Sequence, residues 1–176
     1  MKQRILYIFL AVLSFLLASC SSDYRTTIPA GSTALVSIDA TDSEISSRLS
    51  LLTDLLKIDD AAKSGIDFRE RLYLFETMDG SLGLCAKVSD DQQLRGVFKN
   101  LEKGGSAKEG PERQKCNFFI VADKWVCGYT NKALLMMGPV LSSAQGETMS
   151  TMVRMLNQDA DESMLGTPMM DKLDSL

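Results

Sequence analysis

Three methionines at helical spacing are the residues whose type and arrangement come closest to a chemical site. Met149, Met152 and Met155 lie one helical turn apart. Thioether sulfurs are soft ligands that select Cu(I), so copper handling is chemically coherent for this triplet. The same spacing makes an ordinary apolar helix stripe, and methionine fills irregular cores. Core packing is the favoured interpretation, a partner-binding face is the speculative one, and no metal site is assigned.

Other catalytic chemistry lacks the residues it needs. The chain has no histidine, which removes Ser-His-Asp and Cys-His pairs and imidazole metal sites. Residues 157–161 offer the first three ligands of a calcium loop, but Glu162 stands where glycine makes the sharp turn, and Pro168 where a bidentate glutamate belongs. Paired carboxylates for glycoside hydrolysis stay open as an alternative, because their separation is set by tertiary structure. We therefore assign no catalytic residue and no cofactor, and expect a protein that is not an enzyme.

Cys85, Cys116 and Cys127 each lie in an apolar run, and no CxxC motif is present. Cysteine in such a run behaves as a small hydrophobe, which favours buried free thiols. One disulfide among the three is the alternative, and it would leave an odd thiol.

The N-terminus has the layout of a signal peptide. Lys2 and Arg4 precede residues 5–17, which are apolar apart from Tyr7 and Ser14. This stretch is shorter than the roughly 20 apolar residues that a membrane-spanning helix needs. An exported protein is therefore expected.

The end of this stretch, Leu17-Ala18-Ser19-Cys20, resembles the bacterial lipobox. The resemblance implies cleavage before Cys20, diacylglycerol on its sulfur, and usually acylation of the new amino group. Two or more acyl chains give a lasting membrane anchor. The expected organisation is a signal peptide over 1–19, a lipidated polar tether over 20–32, an α+β domain over 33–160, and a Met-rich tail over 161–176. Gly166-Thr167-Pro168 in this tail looks like the opening of another helix, so the tail is interpreted as the start of a further repeat in a longer chain.

The first half of the domain begins with a strand and a helix. The β-branched run Ala34–Ile38 predicts a strand. Asp42 or Ser43 is expected to cap the following helix. Its apolar residues recur every three or four positions, which indicates one buried face; they are Ile45, Leu49, Leu52, Leu55 and Leu56.

Two hairpins are predicted. Asp79-Gly80 suits a two-residue turn between strands 72–76 and 82–88, which places Phe75 opposite Leu84, Tyr73 opposite Ala86 and Leu74 opposite Cys85. A second turn at Asp123-Lys124 joins strands 116–122 and 125–130 and places Ile120 opposite Cys127. Under this register one face of the second hairpin carries Cys116, Phe118, Ile120, Trp125, Cys127 and Tyr129.

Between the hairpins, Ser89 is expected to cap a helix with Leu94, Val97, Phe98 and Leu101 on one face, ended by Gly104-Gly105. Residues 103–115 are then a charged, solvated loop. The order β-α-β-β-α-β-β-α predicts an α+β fold with an antiparallel or mixed sheet and helices packed on one face, akin to the ferredoxin-like plan.

The formal net charge is −4, and no Lys/Arg stripe stands out. Because nucleic-acid binding rests on basic residues that neutralise phosphates, nucleic acid is not an expected partner. The expected partners are the lipid bilayer, through acylated Cys20, and an envelope protein or small ligand.

These features together resemble Bacteroidota lipoproteins of an uncharacterised family, DUF4836. The resemblance rests on the lipobox, Ile28-Pro29 leading into 34–39, the Leu-rich helix, the Asp79-Gly80 hairpin and the helix-to-hairpin repeat, and covers about residues 27–170. It implies a cell-envelope location and no known enzymatic activity, and it supplies no catalytic residues. Only one acidic residue, Asp23, follows Cys20 closely, so outer-membrane anchoring facing the periplasm is as well supported as facing the cell surface.

Overall fold

The computed structural model describes residues 23–40 and 46–175. In this part of the chain, seven strands form one sheet in the order β1-β2-β3-β7-β6-β5-β4, with every neighbouring pair antiparallel. The strands are β1 Ala34–Ile38, β2 Leu72–Glu76, β3 Leu82–Lys87, β4 Ala107–Glu109, β5 Asn117–Val121, β6 Trp125–Tyr129 and β7 Ala133–Met137.

Within the described residues, four α-helices cover both faces of this sheet. They are α1 Ser46–Leu56, α2 Asp91–Lys103, α3 Gln145–Asn157 and α4 Pro168–Asp174. Residues of α1 and α2 share one core with alternate sheet residues, and residues of α3 and α4 share a second core with the others. We call the two sides the α1–α2 face and the α3 face. The α+β class and the antiparallel sheet agree with the sequence analysis, but the expectation of helices on one face is wrong, and the ferredoxin-like order is not confirmed.

Strand β7, which lies in the middle of the sheet, explains why a helix layer is needed on each face. Every residue of β7 is buried. Leu134 and Met136 point to the α1–α2 face, while Leu135 and Met137 point to the α3 face. A strand covered on both sides reads as a continuous apolar run without alternation, and this strand was not predicted.

The first hairpin forms where expected, one residue out of register. The Gly80 N–H donates to the Thr77 carbonyl at 2.9 Å, and the Thr77 N–H donates to the Ser81 carbonyl at 3.0 Å. With Gly80 at φ +80°, this is a three-residue loop with a glycine bulge rather than the two-residue turn. Phe75 therefore lies opposite Gly83 and Tyr73 opposite Cys85, which corrects the predicted pairing.

The second hairpin shows the same displacement. Ala122 and Asp123 have the positive φ values, not Asp123 and Lys124, and Phe119 rather than Ile120 lies opposite Cys127. A shift of one residue moves a strand's side chains to the other face. The residues predicted to share a face are thus divided: Cys116, Phe118 and Ile120 lie on the α3 face, and Trp125, Cys127 and Tyr129 on the α1–α2 face.

For helix α2 and the residues on either side of it, the structure differs from the prediction in smaller ways. The carboxylate of Asp90, not Ser89, caps the helix by accepting from the N–H groups of Gln92 and Gln93. The predicted charged loop contains strand β4, whose Ala107 is buried. An edge strand gains its hydrogen bonds through the backbone, so it needs little apolar sequence. The predicted cap of α1 at Asp42 or Ser43 lies outside the described residues.

The domain extends past its predicted boundaries on both sides. Within the predicted tether, Tyr24–Thr27 forms a 3₁₀ turn, and the side chains of Tyr24 and Ile28 are buried on the α3 face. Within the predicted tail, Met164 and Met170 are buried in the same core. Residues 23–32 are therefore part of the packed domain rather than a free tether, and the described part of the tail belongs to the domain as well.

Candidate functional site: an apolar groove

An open groove lies on the α1–α2 face and extends from Leu82 and Trp125, next to the loops 77–81 and 122–124, to Ile38 and Leu72 at the other end of β1 and β2. Strands β2 and β3 form its floor with Leu74, Leu82 and Leu84, and α1 supplies one wall. The remaining lining is also apolar and includes Leu52, Leu55, Trp125 and Met136.

The groove exists because the two helices cover only part of this face. Helix α2 lies over the other half of the sheet, where Phe98 stacks on Phe119 with ring centroids 4.8 Å apart. Helix α1 reaches the sheet through Leu52 and Leu56. Beyond it, Leu74 is 40% exposed and Leu82 52% exposed, with Val36 of the neighbouring edge strand at 51%. Contiguous exposed apolar residues of this kind mark interaction sites more often than isolated ones do.

Both the lining and the volume of the groove suit an apolar ligand. Its volume is about 380 Å³, and no charged, hydroxyl or amide side chain lines it. This volume lies within the roughly 300–1,000 Å³ typical of small-molecule sites. An extended peptide buried here would leave backbone N–H and C=O groups without partners, which costs free energy. Aliphatic or aromatic groups meet no such penalty.

A second, polar cavity of about 250 Å³ lies near the N-terminal turn and holds two carboxylates, Asp23 and Asp159. Burial acts to raise the pKa of Asp23, but hydrogen bonds from Arg25 and its positive charge outweigh burial and hold the pKa below its usual value. The Arg25 Nη2 to Asp23 Oδ2 distance is 2.6 Å. Asp23 is therefore an ionised partner of Arg25.

Acid catalysis requires a carboxyl group with a raised pKa. In the described part of the chain, each carboxyl group whose pKa departs from its usual value lies below it; these groups are Asp23, Asp67, Asp79 and Glu102. Such groups are suited to ion pairing and capping rather than to proton donation.

The methionine triplet is in the core. Met149, Met152 and Met155 are all buried on the α3 face, with Met152 fully inaccessible. This burial agrees with the favoured core-packing interpretation. None of the three contributes to the groove, and a partner that reached them would have to displace α3.

The three cysteines are buried free thiols. Cys85 Sγ lies 3.0 Å from Thr27 Oγ1, and burial raises the pKa of Cys85 to about 12. Burial also raises the pKa of Cys116 and Cys127. These thiols are protonated and inaccessible, which makes them poor nucleophiles.

The remaining predicted site residue, Cys20, lies outside the described residues. Across residues 23–40 and 46–175, no group of three or more Cys, Asp or Glu side chains is placed to hold a metal ion. Asn157, from the calcium-like stretch, donates instead to the Val153 carbonyl and to Cys116 Sγ.

Sequence reasoning missed the groove, although a signal for it was present. Strands β2 and β3 carry apolar residues at consecutive rather than alternate positions, so both of their faces are apolar. Such strands are normally covered on both sides. Where one side stays uncovered, an apolar binding surface remains.

The fold and groove define a three-layer α+β domain with an apolar site. Residues 37–173 match the family described as Domain of unknown function (DUF4836), and the protein belongs to that family. No curated protein and no solved structure matches the chain significantly. Among the described residues, no helix has both the length and the apolar character needed to cross a membrane.

Proposed function

We propose that this protein is a lipid-anchored module of the bacterial cell envelope that binds an apolar ligand, or the apolar part of a partner, in the groove on its α1–α2 face. The protein performs no catalysis in this proposal. The open groove carries the argument, because it exposes Leu74 and Leu82 to solvent at a site that no described helix covers.

The anchor is acylated Cys20, as the lipobox resemblance implies. The packed domain begins at Asp23, only three residues further on. Three residues span at most about 11 Å when fully extended, so the domain is held close to the bilayer. Tyr24 and Ile28 pack on the α3 face, opposite the groove. The membrane is the outer membrane, and the domain faces the periplasm or the cell surface.

An envelope hydrolase with paired carboxylates is the alternative function. It would use the polar cavity, with Asp23 and Asp159 as the candidate pair. The ion pair between Asp23 and Arg25 weighs against this alternative, because it keeps the acid in its ionised form. Glycan hydrolysis that is lost in Asp159→Asn would favour the alternative over the binding module.

The groove is tested by titrating the protein with a fluorescent long-chain fatty acid. Residues 20–176 with Cys20→Ser provide an unlipidated form that contains all the described packing. We expect saturable binding that Leu82→Glu weakens at least tenfold, because a carboxylate would then be desolvated by the ligand. Leu141→Glu is the matched control, since Leu141 is 78% exposed and lies outside the groove. Equal binding by both variants would overturn the groove assignment.

The anchor is tested separately by detergent phase partitioning and mass spectrometry of the protein from bacterial envelopes. The native chain is expected in the detergent phase with a diacylglyceryl group on Cys20. Cys20→Ser should lose that modification. An unmodified Cys20 in the native chain would refute the anchor and leave the groove proposal intact.

A further inference from the structure

The two edges of the sheet differ sharply in charge. At one edge, β4 is three residues long, and both of its charged residues are in ion pairs. Lys108 contacts Asp123 at 2.9 Å, and Glu109 contacts Lys99 at 2.6 Å and Arg95 at 3.1 Å. Short length and charge are the usual ways in which proteins prevent a free edge from pairing with another chain. The β4 edge is protected in this way.

At the opposite edge, the described residues provide no such protection. Strand β1 is five residues long, contains no charged residue or proline, and pairs among the described strands only with β2. Its central residue, Val36, is half exposed. An uncharged and partly apolar edge of this length presents unpaired backbone groups that another strand can satisfy.

We propose that β1 pairs with β1 of a second copy of this chain, antiparallel, about a two-fold axis at Val36. Val36 then lies opposite Val36 of the second copy, Ala34 opposite Ile38, and Leu35 opposite Ser37. The two seven-stranded sheets become one continuous sheet. A symmetric contact of this kind is closed, so the assembly stops at a dimer.

The register of the sheet favours this axis. Val36 pairs with Leu74, Leu74 with Leu84, and Leu84 with Met136, so these four residues form one apolar row across the α1–α2 face. Pairing about Val36 joins this row to the same row of the second copy. Cross-strand apolar neighbours stabilise a sheet by roughly 0.2–1 kcal/mol per pair. The two grooves then lie along one continuous apolar surface.

Strand geometry supports the same arrangement, because antiparallel strand pairs are slightly more stable per residue than parallel pairs.

The first test is disulfide trapping in the full lipidated chain, in envelope membranes, with copper phenanthroline as the oxidant. Val36→Cys is expected to give a covalent dimer, because directly opposed residues have Cα atoms about 4.5–5.5 Å apart, within disulfide range. Ala34→Cys is the control, since its counterpart is Ile38, and it should remain monomeric. The native Cys85, Cys116 and Cys127 are buried and do not interfere. Equal trapping of both variants, or none of Val36→Cys, overturns the proposal.

The second test is sedimentation equilibrium of residues 20–176 with Cys20→Ser. The parent chain is expected to dimerise, and Val36→Lys should weaken dimerisation at least tenfold, because edge lysines block strand pairing. Leu141→Lys, a change at another exposed apolar residue, should leave the dimer intact. A parent chain that stays monomeric at all concentrations overturns the dimer. If that monomer still binds the fatty acid probe, the proposed function stands even though the dimer proposal fails.

Discussion

Phe75 lies directly opposite Gly83 in the β2–β3 hairpin, and its ring covers the glycine. A Cβ atom at position 83 would come within 2.2 Å of Phe75 Cζ and 2.6 Å of Cε2. Phe75 is buried at 3% exposure, so its ring has little room to move aside. The register of this hairpin, which lies beside the groove, thus places Phe75 against position 83, where only glycine leaves room for the ring.

We therefore expect Gly83→Ala to destabilise the protein by about 1–3 kcal/mol, the range typical of overpacked cores. The free energy of unfolding in urea measures this. Gly96→Ala is the matched control, because Gly96 is exposed in the middle of α2 and a Cβ there meets nothing within 4 Å. That substitution should stabilise the protein by about 0.5–1 kcal/mol. A neutral Gly83→Ala would show that Phe75 can move.

Ile28 tests whether the N-terminal segment belongs to the core. Its side chain is fully buried among α3-face residues, so Ile28→Ala should cost about 2–5 kcal/mol in unfolding free energy. Val36→Ala, at a half-exposed apolar residue, should cost much less when measured on the monomer. If Ile28→Ala lowers the free energy of unfolding by no more than the small amount expected for Val36→Ala, the N-terminal segment is not part of the core.

Two tyrosine hydroxyls make a second matched pair. The Tyr129 hydroxyl is buried, and within the described part of the chain no group meets the distance and angle of a hydrogen bond to it; Arg95, the closest charged neighbour, donates to Asn117 and Glu109. Removing an unsatisfied hydroxyl is neutral or stabilising, so Tyr129→Phe should not lower the urea midpoint. The Tyr24 hydroxyl donates to the Arg71 carbonyl at 2.7 Å, and Tyr24→Phe should cost about 1 kcal/mol. A greater loss of stability in Tyr129→Phe than in Tyr24→Phe would contradict the description of the Tyr129 hydroxyl as the one without a hydrogen bond.

Asp67 should make stability depend on pH. A hydrogen bond from Arg69 is the main cause that holds the pKa of Asp67 below its usual value, against a smaller opposing effect of burial. The carboxylate therefore stabilises the fold at pH values above its unfolded-state pKa, and this contribution is lost as the pH falls through the folded-state pKa.

Asp67→Asn should accordingly cost about 1 kcal/mol at pH 7, because its partner Arg69 is exposed and screened by solvent. The difference from the native chain should shrink toward pH 3, as measured by urea unfolding across that range. Asp123→Asn, in the exposed pair with Lys108, should change stability by less than about 0.5 kcal/mol at either pH. A pH-independent cost for Asp67→Asn would assign the effect to packing.

The sequence determined those features that depend on local pattern. Ala34–Ile38, both hairpins, the apolar stripe of α2 and the helix that carries Met149, Met152 and Met155 are all present. Each has a periodicity or a turn residue that acts over a few positions. The family was also recognisable from the sequence, and residues 37–173 match it.

Tertiary structure decided the rest, for physical reasons that short segments do not contain. Strand register depends on whether a loop holds two or three residues, and a single step moved Phe75 from Leu84 to Gly83. The burial of β7 depends on helices from both ends of the chain that pack on opposite faces. The groove depends on how much of one face α1 and α2 leave uncovered, and no pattern in β2 or β3 indicates which of their apolar residues stay exposed to solvent.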